Sequence, residues 1–193
     1  MLISVGCDFG LSKSGIVVLG EEFQIESQNL IKVDSKGAQR LIDIERAFDF
    51  IITPYLREHD VEIFVEGYAY GARYQRESLA ELGGVMRRYL HLTKLNYWVI
   101  PPNSLKLFVT GTGKATKNYM KKCTKEKWAE IFKSDDICDA YGLARLGMNL
   151  MKSLNGMQGF THLPLNEQKI IREILLNQDF YKNSNTARKR RKR

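Results

Sequence analysis

The chain has 193 residues, of which 44% are hydrophobic and 27% charged. That balance suits one soluble globular domain with a real core and leaves little room for a second. No apolar run approaches the roughly 20 residues that span a bilayer, and the N-terminus MLISVGCDFG lacks the basic region and cleavage site of a signal peptide. The net charge of +8 is concentrated at the C-terminus, where residues 188–193 are all Lys or Arg; without them it falls to +2.

Residues 2–7 are an apolar run that predicts a buried strand, followed by the turn Asp8-Phe9-Gly10-Leu11-Ser12-Lys13-Ser14-Gly15. Ile16–Leu19 predicts a second strand, Glu21-Glu22 a turn and Phe23–Val33 a third strand, spaced as an antiparallel meander. Within 37–58, Leu41, Ile44, Ala47, Phe48, Ile51 and Ile52 recur at helical spacing. Val61–Val65 is a short strand ending at Glu66. Over 76–92 the stripe Leu79, Leu82, Val85, Met86, Tyr89 and Leu90 predicts a helix. Gly83-Gly84 inside it costs about 1 kcal/mol per glycine against alanine, which predicts a close packing approach there. Tyr97–Ile100 is the fifth strand, ended by Pro101-Pro102. A short helix over 103–108, a loop at Gly111-Thr112-Gly113 and two short basic helices over 114–122 and 125–132 follow. A strong helix over 135–151 offers Ala140, Leu143, Ala144 and Gly147 for tight packing, and a last amphipathic helix covers 166–176. The expected organisation is a folded domain over 1–180 and a basic, disordered tail over 181–193, free to bind phosphates. Three antiparallel strands feeding a β-α-β-α run predict an α/β fold, a five-stranded mixed sheet flanked by helices.

Cys7, Cys123 and Cys138 are odd in number and form no C-x-x-C pair. This argues against a disulfide framework or a zinc site and for a reducing, cytoplasmic setting. The carboxylates carry more information. Asp8 and Glu66 each close an apolar strand; if those strands are parallel and adjacent, both emerge at one sheet edge. Asp136 and Asp139, three apart at a helix start, share a face. Singly, each reads as a turn former, and Asp135 and Asp136 read as helix caps. Together they form a cluster whose mutual repulsion a divalent cation would relieve. Magnesium prefers such hard oxygen ligands, and two ions roughly 4 Å apart activate a water and stabilise the leaving oxygen of a phosphodiester.

The stretches Gly6-Cys7-Asp8-Phe9-Gly10-Leu11-Ser12-Lys13-Ser14-Gly15, Phe64-Val65-Glu66-Gly67-Tyr68 and Asp136-Ile137-Cys138-Asp139-Ala140 resemble the three signature segments of the RuvC-type Holliday junction resolvases, of the ribonuclease H-like superfamily. Ala80-Glu81-Leu82-Gly83-Gly84-Val85-Met86-Arg87 and Pro102-Asn103-Ser104-Leu105-Lys106-Leu107-Phe108-Val109-Thr110-Gly111 extend the match, in a form typical of the phage-encoded branch. The resemblance covers roughly residues 1–150. It implies a homodimeric crossover junction endodeoxyribonuclease acting in recombination and repair in a bacterial or phage-infected cell. Such an enzyme places paired nicks in a four-way junction, leaving 5′-phosphate and 3′-hydroxyl ends, with two Mg2+ ions per site (Mn2+ can substitute) and no nucleotide cofactor or membrane. It also implies that Asp8, Glu66, Asp136 and Asp139 hold the metals, that Lys117 assists catalysis and that Lys106 binds DNA. Where the cellular family carries an aromatic wedge three residues beyond its glutamate, this chain has Ala69, flanked by Tyr68 and Tyr70. The same carboxylates permit a ribonuclease H-like nuclease acting on RNA or RNA–DNA hybrid, and a non-catalytic DNA-binding protein of this fold is a further alternative.

Other signals weigh differently. Gly111-Thr112-Gly113-Lys114 imitates a phosphate loop but has Phe108 where a glycine belongs and Ala115 where Ser or Thr belongs; it reads better as a loop presenting Lys114 and Lys117 to DNA phosphates. The resemblance of Asp8-Phe9-Gly10 to actin-like ATPases fails for want of a second domain. Tyr68, Tyr70 and Tyr74 interleave with Arg73 and Arg76, either to stack on unpaired bases or as a half-buried aromatic cluster. His59, His91 and His162 are scattered and carry no catalytic role.

Overall fold

In the computed structural model, which describes residues 1–67, 76–157 and 160–183, one sheet has the strand order β3-β2-β1-β4-β5-β6. β1 (Leu2–Asp8) is antiparallel to β2 (Lys13–Gly20), and β2 to β3 (Ile25–Lys32). On its other side β1 is parallel to β4 (Asp60–Glu66), and β4 to β5 (Asn96–Ile100). These are the five strands and the mixed sheet that the sequence predicts. β6 (Lys182–Asn183) is an addition, paired antiparallel with β5. It lies within residues 181–193, the segment that the sequence reads as a tail. Its anchor is electrostatic. Lys182 Nζ lies 2.6 Å from Oε1 of buried Glu62, whose other oxygen accepts the Trp98 indole N–H.

Helices cover both faces. α1 (Gly37–Ile52) and α2 (Arg76–Leu92) pack over Ile3, Val5, Cys7, Ile63 and Val65. On the other face α3 (Pro102–Thr110), α4 (Lys117–Trp128), α5 (Asp135–Leu154) and α6 (Leu165–Leu176) enclose Val17, Leu19, Phe64 and Trp98. α7 (Gln178–Tyr181) leads into β6. Two helices differ from expectation. α1 stops at Ile52 rather than 58, because Pro54 tightens Thr53–Tyr55 into a 3-10 turn. The two basic helices expected over 114–132 are one, α4. Met120, Cys123 and Thr124 are buried at i, i+3, i+4 spacing, and the helix ends where Ala129 turns left-handed (φ 59°).

β1 shows why α5 sits where it does. Alternate residues Ile3, Val5 and Cys7 enter the α1/α2 core, so Ser4 and Gly6 face α5. Ser4 Oγ donates to the Ala144 carbonyl at 2.9 Å. A Cβ on Gly6 would lie 1.9 Å from the Ala140 carbonyl oxygen, and one on Gly15 would lie 2.1 Å from that of Asp136. A Cβ on Gly147 would come within 2.3 Å of Phe64. Small residues on both partners therefore let α5 rest on the sheet at backbone contact. Gly84 behaves otherwise: it is exposed, and among the described residues a Cβ there would meet nothing within 4 Å, so of the Gly83-Gly84 pair Gly84 makes no close packing approach there. The three cysteines are free and buried. No helix among the described residues is long and apolar enough to cross a membrane.

Candidate active site

β1 and β4 end together. Cys7 pairs with Val65 in the parallel ladder, so Asp8 and Glu66 leave the sheet side by side at its carboxyl edge. The two-residue alternation puts both on the α5 face, with Gly6 and Phe64. α5 starts over that edge, with Ser134 as N-cap, Asp135 and Asp136 in its first turn and Asp139 one turn on. The cap reading of Asp135 and Asp136 is thereby replaced. Ser134 holds the cap position and donates from Oγ to Asp136 Oδ2 at 2.9 Å. Asp135 pairs with Lys121 at 2.6 Å and with Lys117 at 3.5 Å.

Asp8, Glu66, Asp136 and Asp139 line one cleft of about 400 Å³, together with Lys106 of α3 and Lys117, the first residue of α4. The opposite wall is α2, through Leu79, Gly83, Met86, Arg87 and Leu90. Arg87 was not singled out from the sequence as a site residue. Its signal was a cation four residues beyond Gly83 on an otherwise apolar helix face. Gly15 was missed as well; its missing side chain is what admits the Asp136 backbone. Lys114 is exposed in the loop between α3 and α4 and does not line the cleft, and neither do the histidines. Gly111 of that loop is the left-handed C-cap of α3 (φ 81°), so a helix and not a strand precedes it, unlike a phosphate loop. Tyr68, Tyr70 and Arg73, with Ala69 and the side chain of Arg76, lie outside the described residues, as does the chain beyond 183.

Asp8, Glu66 and Asp139 hold their protons unusually tightly. Burial, then the charges of Glu66, Asp139 and Asp136, push Asp8 well above the ordinary carboxylate range. Burial, then Asp139, push Glu66 up to about 7 against the pull of Lys106, a hydrogen bond from Asp8 and Lys117. Asp139 rises to about 6, chiefly through burial. Burial pulls Lys117 down, but Asp135, Asp139, Asp136 and Asp8 outweigh it and raise its pKa. Such a site lacks positive charge at its centre. The donors are all hard oxygens, which suits a cation such as magnesium. Among the described residues, no three acidic, histidine or cysteine groups close into a ready-made metal cage. An open set is compatible with magnesium, which usually takes one or two carboxylates and completes its shell with waters and substrate phosphates.

No protein-family model matches the chain. It is 27% identical to the crossover junction endodeoxyribonuclease RuvC of Prochlorococcus marinus (strain NATL1A), over 156 residues that cover 76% of this chain and 97% of that protein. Its fold is similar to the Thermus thermophilus RuvC structure, with a TM-score of 0.64 and 15% identity over 81% of this chain and 98% of that one. The T. thermophilus RuvC complex with a Holliday junction substrate gives a TM-score of 0.63 at 13% identity, again over 81% and 98% of the two chains. The yeast mitochondrial Holliday junction resolvase Ydc2 gives 0.51 at 12% identity, over 88% of this chain and 80% of that one. The chain therefore has the RuvC-type, ribonuclease H-like fold and is related in sequence, over most of its length, to a RuvC crossover junction endodeoxyribonuclease.

Proposed function

We propose that this chain is a magnesium-dependent, structure-selective endonuclease that resolves four-way DNA junctions as a homodimer by paired nicking. The observation that carries the reading is the convergence of four carboxylates from three chain segments with two lysines in one cleft of a RuvC-type fold. In this reading Asp8, Glu66, Asp136 and Asp139 hold the ions. When bound, magnesium supplies an activated water and charge stabilisation for the leaving oxygen of the phosphodiester. The chain's own part is electrostatic and positional. Lys106 and Lys117 on one wall, and Arg87 on the other, draw the phosphate backbone between them. Lys117 stays protonated beside Asp135 and the cleft acids, and it offsets charge that develops on the phosphate. The apolar α2 wall limits water around the reacting group.

The test is cleavage of a labelled four-way junction beside linear duplex, flap and RNA–DNA hybrid, with and without magnesium. Symmetrical, magnesium-dependent nicks at the branch are expected. Asp8→Asn and Glu66→Gln should lose cleavage by at least about a thousandfold while still shifting the junction in a gel. Cleavage of the hybrid alone would replace the substrate, and full cutting by Asp8→Asn would end the metal-site assignment.

A further inference from the structure

The motifs shared with the resolvases all lie before residue 141, and the Thermus protein is covered almost whole by 81% of this chain. The C-terminal α6–α7–β6 segment is thus beyond the motifs that define the site, yet it is built into the wall that carries the cleft lysines. α3 is a nine-residue helix, too short to hold its geometry unaided. The C-terminal segment grips it through α6. Asn166 donates from Nδ2 to the Leu107 and Phe108 carbonyls at 3.0 and 2.7 Å, near the C-terminal end of α3. Tyr181 Oη donates to Glu173 at 2.6 Å and so holds α7 on α6. Lys106 immediately precedes the two residues held by Asn166. Buried Glu167, next to Asn166, binds Lys127 of α4 at 2.8 Å, and Lys127 also reaches the Phe108 carbonyl at 3.4 Å. α4 begins with Lys117. One short stretch of α6 therefore ties together the two helices that present Lys106 and Lys117.

We infer that α6–α7–β6 is a brace that sets the position of the cleft lysines, with Asn166 and Glu167 as its positioning residues; this rests on the proposed role of those lysines toward DNA. Asn166 makes no contact with the cleft, so it acts through Lys106. The experiment is a double-mutant cycle in the full-length chain, read as single-turnover cleavage of a four-way junction at saturating protein. Asn166→Asp keeps the shape and removes the donors. It should slow cleavage about tenfold in the otherwise native chain, as a small misplacement of a phosphate-contacting group does. In the Lys106→Ala background it should cost less than about twofold, since nothing remains to misplace. An equal loss in both backgrounds, or no loss in the native one, overturns the brace. A Lys106→Ala chain that cleaves normally overturns instead the role of Lys106 on which the brace stands. Should Asn166→Asp fail to fold, Glu167→Gln combined with Lys117→Ala gives the same cycle at the second contact, judged by the same two outcomes.

Discussion

Burial and neighbouring negative charge raise both Asp8 and Glu66, so each gives up its proton less readily than a free carboxyl group. This has a consequence for stability. The Glu66 carboxyl rises from its ordinary 4.5 to about 7, and that of Asp139 from 3.8 to about 6. Between the unfolded and folded values the unfolded chain has released a proton that the folded chain retains. Stability therefore falls as pH rises through that window, and the deficit is constant above it. For Glu66 the deficit is on the order of 3 kcal/mol. The metal-free chain should melt progressively lower between about pH 4.5 and pH 7, and Glu66→Gln should flatten that slope and raise the melting temperature near pH 8. Added magnesium should restore stability mainly at the alkaline end, where the carboxylates are ionised and a cation can bind them. Calorimetric melting over a pH series checks all three; a Glu66→Gln curve parallel to the native one would remove the basis of the argument. At this scale the convergence of the four acids was legible only as a set: singly each reads as a turn former or a helix cap, and it is two strand ends beside one helix start that group them. Arg87 was not, because it stands beside the apolar stripe of α2, far in sequence from the acids it faces across the cleft. The pairing of Asp135 with Lys121 and Lys117 depends on α4 and α5 meeting, which no local pattern encodes.

α5 is the element on which the site depends, because it brings Asp136 and Asp139 over the ends of β1 and β4. Its seat is made by absent side chains, which yields a contrast among glycines. Gly6→Ala would drive a methyl into the Ala140 carbonyl, and Gly15→Ala would drive one into the Asp136 carbonyl. Neither neighbour is the end of a flexible side chain, so the helix or strand must shift, at a cost of roughly 3 kcal/mol or more. Gly15→Ala should also lower cleavage further than its loss of melting temperature explains, because it displaces a candidate metal ligand directly. Gly84→Ala has open space and an ordinary helical position. It should stabilise the chain by up to about 1 kcal/mol. Melting temperatures and junction-cleavage rates of the three variants test the placement of α5; a Gly15→Ala chain with native rate would mean the helix has slack the structure does not show. The small residues of α5 were readable in the sequence as packing positions, but their partners Gly6 and Gly15 read only as turn and strand glycines. The division of α4 into two helices failed for a related reason. Its basic residues concealed a continuous buried stripe of Met120, Cys123 and Thr124 that tertiary contact completes.

Across the whole molecule, the carboxylate-bearing edge of the sheet and the point from which the basic tail continues lie at opposite ends of the strands. β6 pairs Lys182 with Trp98 and Asn183 with Tyr97, so the chain at 183 is heading toward the start of β5. The carboxylates lie at the opposite edge, where β1 and β4 end. The ten residues from 184 to 193, with their six consecutive cations, attach away from the cleft, and an extended chain of that length reaches about 35 Å at most. β6 itself was illegible in the sequence, since two residues carry no periodicity and its hold comes from Glu62, which is 120 positions distant. These facts separate two truncations. Removing 184–193 should weaken junction binding, and more so at low salt, because each lost phosphate contact takes a slope of about 0.9 in log K against log salt with it. The cutting rate at saturation should stay close to native, since the cleft keeps its walls. Removing 182–193 should in addition strip the cation from Glu62, leaving a buried charge unpaired at a cost of roughly 3 kcal/mol, and expose the edge of β5. Binding measured at several salt concentrations, beside melting curves, distinguishes the two. A dissociation constant indifferent to the tail at every salt concentration would show that its cations do not meet the DNA. Equal melting temperatures for both truncations would show that Lys182 does not hold the sheet edge closed.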